Sequence, residues 1–184
     1  MSDSGQQFFI SLKENAFFIN PKKVWTSDLG QYYESFGRIV ASAITKNMVI
    51  GIYFADFFFK RIFNVKNDFE DLKDLMSDQE FENYKLLKTY TAEEIDCLYL
   101  DFTVMVKGKG VELIEGGEDK MLTVDNLDQY LSYLIEFYTY TQFKQQYDSF
   151  IKGFNNHIKT NILMEYFSYK EISIIICGKK HLDH

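Results

Sequence analysis

The chain has 184 residues, and twenty Lys and Arg against twenty-seven Asp and Glu leave a formal net charge of -7. At roughly 150 residues per domain this is about one domain, long enough to bury roughly 70% of the surface it exposes unfolded. The acidic balance excludes a general nucleic-acid binder, which needs surplus cations to displace phosphate counterions, and an aromatic content of 17% excludes a disordered chain.

Phe8 to Ile10 and Ala16 to Ile19 read as two short extended pieces around a polar turn at Lys13, Glu14 and Asn15, and Asn20-Pro21 breaks the chain. From Tyr32 to Ile44 the period becomes helical. Phe36, Ile39, Val40, Ala43 and Ile44 fall on one predicted face. A second helix is expected from about Ile52 to Phe63, apolar nearly all round and so interior.

Three capping boxes follow, each placing a hydroxyl three residues before a Glu: Ser77 with Glu80, Thr91 with Glu94, and Ser168 with Glu171. The first is expected to open a helix reaching about Tyr90, the last one reaching about Cys177, and the middle one to cap only a turn. Between them the period drops to two. Leu98, Leu100, Phe102 and Val104 alternate with Tyr99, Asp101, Thr103 and Met105, which predicts a strand. A turn at Gly108 to Gly110, a return strand over Val111 to Ile114, and a second turn at Gly116-Gly117 complete a small β insert. Helical spacing resumes with Leu127, Tyr130, Leu131, Leu134 and Tyr138, then with Phe143, Tyr147, Phe150, Ile151 and Phe154. The expected fold class is α+β, mostly helical, with a small antiparallel β insert.

The two cysteines, Cys97 and Cys177, lie eighty positions apart with no CxxC pair, which excludes a disulfide scaffold and points to a reducing, intracellular compartment, cytoplasmic or nuclear. No signal-peptide pattern opens the sequence, and the longest apolar stretch, Met48 to Phe59, carries Asp56 and is short of the ~20 residues of a membrane span. Cys177 stands in an apolar run, the opposite of the electropositive setting a thiolate needs. Cys97, after Asp96 at a strand entrance, also reads as structural. His157 and His181 show no spacing that would recruit them as bases. The acidic clusters at Asp68 to Asp74 and Glu93 to Asp96 lack the alternation, central Gly and distal Glu of a calcium loop and read as solvated faces. No phosphate loop is formed by the glycines. Neither a catalytic constellation nor a metal or cofactor site is expected.

The order of motifs says more than any one of them. Tyr33-Glu34-Ser35-Phe36-Gly37-Arg38-Ile39-Val40-Ala41-Ser42-Ala43-Ile44 resembles the "F-x-x-x-G-R-x-x-G-x-A-x" helix of HECT-type ubiquitin ligases. Tyr53 to Lys60 resembles that family's next helix, Phe102-Thr103-Val104 its "TF" strand, and Glu112 to Asp119 its "E-L-x-x-G-G-x-x" turn, with Leu122, Thr123 and Asn126 following. Phe150 to Phe154 is similar to its "F-x-x-G-F" helix, and Glu171-Ile172 with Ile176-Cys177-Gly178 to its "E-L … I-C-G" close.

The resemblance implies part of a HECT N-terminal lobe. Residues 1–76 and 140–184 would form its large helical subdomain, and residues 77–139 the small subdomain that docks a ubiquitin-conjugating enzyme. Phe17 to Pro21 resembles a segment already inside the lobe, so the first part of the lobe and the whole C-terminal lobe would lie outside this sequence. The family's ubiquitin-accepting cysteine belongs to that second lobe and matches neither Cys97 nor Cys177. The chain alone is therefore expected to bind without forming a thioester. In the family an aromatic side chain of the conjugating enzyme enters an apolar groove. Carried over, that groove takes Tyr84 (alternatively Phe81), Leu87 and Tyr90 from the helix, Leu98 and Leu100 from the strand, Tyr130 from the next helix and Asp96 at the rim. Ubiquitin stays open as a further partner, and substrates would bind through regions elsewhere. The alternative is a non-catalytic module that only binds or sequesters a conjugating enzyme.

Overall fold

A computed structural model describes residues 8–13, 16–21, 24–106 and 108–178. Along them run β1 (Phe9–Ser11), β2 (Phe17–Ile19), α1 (Ser27–Thr45), α2 (Asp56–Ile62), α3 (Asp78–Leu87), α4 (Ala92–Asp96), β3 (Thr103–Val106), β4 (Lys109–Glu112), α5 (Leu127–Thr139), α6 (Lys144–His157), α7 (Thr160–Tyr166) and α8 (Tyr169–Cys177). The fold is α+β and mostly helical. Its two small sheets are both antiparallel hairpins, β1 with β2 and β3 with β4. The chain divides into two compact units, residues 1–67 with 142–184 and residues 68–141.

In the first unit, β1 pairs with β2 from Phe9 opposite Ile19 to Ser11 opposite Phe17. The expected turn residues Glu14 and Asn15 lie outside the described residues, as does His181. Helix α1 starts at Ser27, five residues before the predicted Tyr32, because Thr26 caps it by accepting from the Leu29 amide at 3.2 Å. Helix α2 starts at Asp56, later than the predicted Ile52. It buries Phe57, Phe58, Phe59 and Ile62, so the interior reading of this segment holds.

The face of α1 is rotated from the predicted one. Ile39 is 59% exposed, whereas Leu29, Tyr33, Gly37, Val40 and Ala41 are buried. The cause is the packing of α1 on α6. A Cβ on Gly37 would lie 2.1 Å from the Phe150 carbonyl oxygen, and one on Gly153 would lie 1.8 Å from that of Glu34. The two backbones touch through glycine, so small residues occupy the contact and the larger Ile39 turns outward. Glu34 also links the helices at the surface, accepting from Arg38 at 2.9 Å and from Lys152 at 2.8 Å. Both pairs hold its carboxyl below the ordinary range, the Lys152 hydrogen bond most of all.

The second unit is built around Leu72, Phe81, Ile95, Phe102, Leu122 and Leu134. The capping boxes at Ser77, Thr91 and Ser168 all form as reciprocal hydrogen bonds. The first opens α3, which ends at Leu87 rather than Tyr90. The second opens the five-residue helix α4 rather than a bare turn. A further box, Asp68 with Asp71, caps a 3-10 turn over Phe69–Asp74, so part of that acidic cluster has a structural task.

The predicted strand from Leu98 is corrected. After α4 the chain continues in tight turns, with Leu98 N–H donating to the Ile95 carbonyl at 3.0 Å and Tyr99 N–H to that of Asp96 at 3.4 Å. Tyr99 then adopts φ +50°, which lies outside strand geometry. Strand β3 begins only at Thr103, and Val106 opposite Lys109 places Lys109 and Gly110 in β4 rather than in the turn. The inward alternation survives at Leu100, Phe102 and Val104, but Leu98 is 41% exposed and does not share their face.

Buried tyrosines give the fold a defined alkaline limit. Burial raises the Tyr33, Tyr130 and Tyr138 hydroxyls above the ordinary value near 10, Tyr138 to about 12. The folded state therefore holds these protons more tightly than the unfolded chain does. Their stabilisation is complete below pH 10 and is lost as pH rises through about 12 and beyond. The thermal midpoint should be flat from pH 7 to 9 and fall above pH 10. An equal midpoint at pH 8 and pH 11.5 would contradict this.

Candidate docking cleft

Three of the groove residues named from the sequence come together within the second unit. Tyr84 from α3, Leu100 from the segment before β3, and Tyr130 from α5 line a cleft of about 290 Å³. The Tyr84 and Tyr130 rings stand 6.4 Å apart. Tyr130 is only 2% exposed, and its ring meets Phe102 edge-on at 5.4 Å, so the core fixes the floor of the cleft.

The other named residues are placed differently. Leu87 is 4% exposed and belongs to the core. Phe81, the alternative to Tyr84, is also core and packs on Phe69 with ring centroids 5.0 Å apart. Tyr90 is half-buried against the same core, beyond the end of α3. Asp96 closes α4 and is exposed, and Leu98 after it is exposed too. Tyr90, Asp96 and Leu98 do not line the cleft itself.

Sequence reasoning missed Glu80, Tyr99, Asp101 and Tyr138, which all line it. Tyr138 could have been found, because it follows Tyr130 by eight positions and so shares its helix face. Tyr99 and Asp101 could not, because their placement follows from the left-handed turn at Tyr99. Glu80 serves twice: its Oε2 accepts from the Ser77 amide at 3.0 Å and from the Ser77 hydroxyl at 2.6 Å, and it borders the cleft. Those Ser77 bonds hold its carboxyl below the ordinary range. Asp101 Oδ1 accepts from the Thr103 amide at 2.9 Å and from its hydroxyl at 2.6 Å, which pins the entry to β3. The cleft is thus apolar and aromatic below, with carboxylates at its edge.

The thiols and histidines form no catalytic arrangement among the described residues. Cys177 is buried, and burial pushes its thiol up from the ordinary value, which disfavours the nucleophilic thiolate. Cys97 is exposed at the C-cap of α4 and not at a strand entrance. His157 bonds Thr45 Oγ1 at 3.2 Å. Iodoacetamide should therefore modify Cys97 in the native chain and reach Cys177 only on unfolding. Equal labelling rates under native conditions would contradict that placement. Among the described residues no group of three His, Cys, Asp or Glu side chains is placed to hold a metal, and no helix is long and apolar enough to cross a membrane.

A helix-dominated α+β chain with a hairpin-bearing unit that presents an aromatic cleft is the class of protein defined so far. The family model described as HECT-domain (ubiquitin-transferase) matches residues 1–184, and the chain belongs to that family. The E3 ubiquitin-protein ligase UPL1 of Arabidopsis thaliana is 26% identical over 98% of this chain, covering 5% of that protein. The E3 ubiquitin-protein ligase Nedd-4 of Drosophila melanogaster is 27% identical over 83% of the chain and 15% of its own length. The E3 ubiquitin-protein ligase RSP5 of Emericella nidulans is 26% identical over 90% of the chain and 21% of its own length. The chain thus spans about a fifth or less of the length of these relatives.

Proposed function

We propose that residues 68–141 dock a ubiquitin-conjugating enzyme, so that the chain supplies the recruiting surface of a HECT-type ubiquitin ligase. The observation that carries this reading is the joint placement of Tyr84, Leu100 and Tyr130 around one cleft, with Leu98 exposed nearby in sequence. Aromatic and aliphatic side chains that are firmly seated yet reachable are what anchor a partner. The core holds Tyr130 still, and preorganisation lowers the ordering cost of association. Leu98 suits the role better off the strand than on it, because the turn at Tyr99 delivers its side chain to solvent.

In this reading the conjugating enzyme delivers ubiquitin as a thioester, which passes to an acceptor cysteine of the ligase and then to a substrate lysine. Neither Cys97 nor Cys177 is assigned the acceptor role. Calorimetric titration of the chain with a panel of ubiquitin-conjugating enzymes tests the proposal. Saturable binding to one or more members is the expected result, and no heat of binding from any member by a demonstrably folded chain refutes it.

A further inference from the structure

Burial falls steeply from the floor of the cleft to its mouth. Tyr130 is 2% exposed, whereas Met105 and Tyr99, which also line it, are 66% and 81% exposed. The volume of about 290 Å³ lies below the roughly 300–1,000 Å³ typical of small-molecule sites, which suits a single inserted side chain. The floor is fixed by the core, and the mouth is built of side chains that are free to move.

Tyr99 is the unusual member. Its φ is +50°, and among the described residues the other positions of positive φ without glycine are Asn47 and Asn64. Glycine and asparagine enter the left-handed region readily, whereas a bulky side chain there is an outlier that stores strain. Side-chain bonding does not offset this strain. Among the described residues the Tyr99 ring meets no other ring, and its hydroxyl makes no hydrogen bond. A contact that offsets it has to come from outside the chain. The same turn holds the ring within reach of a guest, because Tyr99 lines the cleft together with Tyr84, Leu100 and Tyr130.

We propose that Tyr99 is a specificity-determining lip of the docking cleft, whose ring closes over an aromatic side chain inserted by the conjugating enzyme. The left-handed turn aims the ring, and the guest supplies the contact that the chain itself lacks. Tyrosine suits this task. It offers a large flat surface, orders only two side-chain torsions on binding, and can leave its hydroxyl in water. Offset or edge-on ring pairs gain beyond the area they bury, so a conjugating enzyme with an aliphatic side chain at that position gains less from the lip. The identity of the partner rests on the docking reading above, and the test separates the two.

Tyr99→Asn is the informative variant, since asparagine accepts the left-handed backbone and removes the ring. Tyr99→Phe keeps the ring and removes only the hydroxyl. The full chain is titrated calorimetrically with a conjugating enzyme that binds the wild type. Tyr99→Asn should bind about tenfold more weakly, with a thermal midpoint no lower than that of the wild-type chain. Tyr99→Phe should stay within about twofold. The loss in Tyr99→Asn should shrink when the inserted aromatic residue of the enzyme is replaced by leucine, because the two rings act as a pair. Unchanged affinity in Tyr99→Asn overturns the lip while leaving docking intact. An equal loss in Tyr99→Phe overturns it as well, by assigning the effect to the hydroxyl. So does a lowered midpoint in Tyr99→Asn, which would mean that the ring serves the fold. If no enzyme binds the wild-type chain, the docking reading fails and takes the lip with it.

Discussion

Gly153→Ala is expected to destabilise the chain by about 3 kcal/mol, the largest single effect that the structure predicts. Alanine is favoured over glycine inside a helix by about 1 kcal/mol, so propensity alone points the other way. The sign is decided by space. The new Cβ would meet the Glu34 carbonyl oxygen at 1.8 Å, and the obstacle is backbone, which cannot rotate away. Relief requires α1 and α6 to separate, which loosens the contacts of Tyr33, Val40, Phe150 and Phe154, all buried. Overpacking of this kind costs about 1–3 kcal/mol or more, against a total stability of roughly 5–15 kcal/mol. For a chain of this size the thermal midpoint should fall by roughly 6–12 °C. Gly110→Ala is the control, because its Cβ would meet nothing within 4 Å and the residue is exposed. An unchanged midpoint for Gly153→Ala would mean that the two helices do not touch through glycine.

The second large effect concerns binding and leaves the fold in place. Tyr90→Ala with Leu98→Ala should weaken conjugating-enzyme binding by at least about 2 kcal/mol, roughly thirtyfold, the range of interface anchors. Leu98 is exposed, so its truncation should cost under about 0.5 kcal/mol of stability. Tyr90 is half-buried against the core, so part of its loss falls on the fold, and a thermal melt measures that part separately. Leu86→Ala provides the comparison. Leu86 is exposed on α3 and outside the named groove, and its truncation should leave affinity within about twofold. Full-strength binding by the double variant would place the enzyme elsewhere on the chain.

Local chemistry was legible in the sequence where it involves only neighbours. The hydroxyl-to-Glu spacings at Ser77 and Ser168 each mark a helix start, because a capping box closes within four residues, whereas the one at Thr91, expected to cap only a turn, opens a five-residue helix. The spacing from Leu127 to Tyr138 likewise marks α5, whose buried face includes Leu127, Tyr130, Leu131 and Leu134. What stayed hidden depends on distant partners or on weak local signals. Periodicity weighs bulk and so places Ile39 inward, yet Gly37 and Gly153 carry that contact. Helix α7, Thr160–Tyr166, was missed. It buries only Leu163 and has no side-chain cap of its own. The Asp68 and Asp71 box is hidden in the sequence because two carboxylates beside others read first as a charge run.

The site divides along the same line. Tyr84, Leu100 and Tyr130 were named through family resemblance, and the structure brings them to one cleft. The resemblance names Leu87 with them, but Leu87 is buried in the same core as Phe81. Tyr99 and Asp101 were read as members of a strand, and only the left-handed residue at 99 shows why they border the cleft instead. A residue type can be read from spacing, but its direction after a helix ends depends on how that helix terminates.

The central claim is that the second unit is the docking surface, and an amide chemical-shift footprint tests it most directly. An isotope-labelled chain would be titrated with an unlabelled ubiquitin-conjugating enzyme that binds it. The account predicts shifts concentrated at Tyr84, Tyr90 and Leu98 to Thr103, with Tyr130 and Tyr138 following and α1, α6 and α8 unmoved. A footprint centred on α1, α6 or α8, with the signals of Leu98 to Thr103 unshifted at saturation, would contradict it.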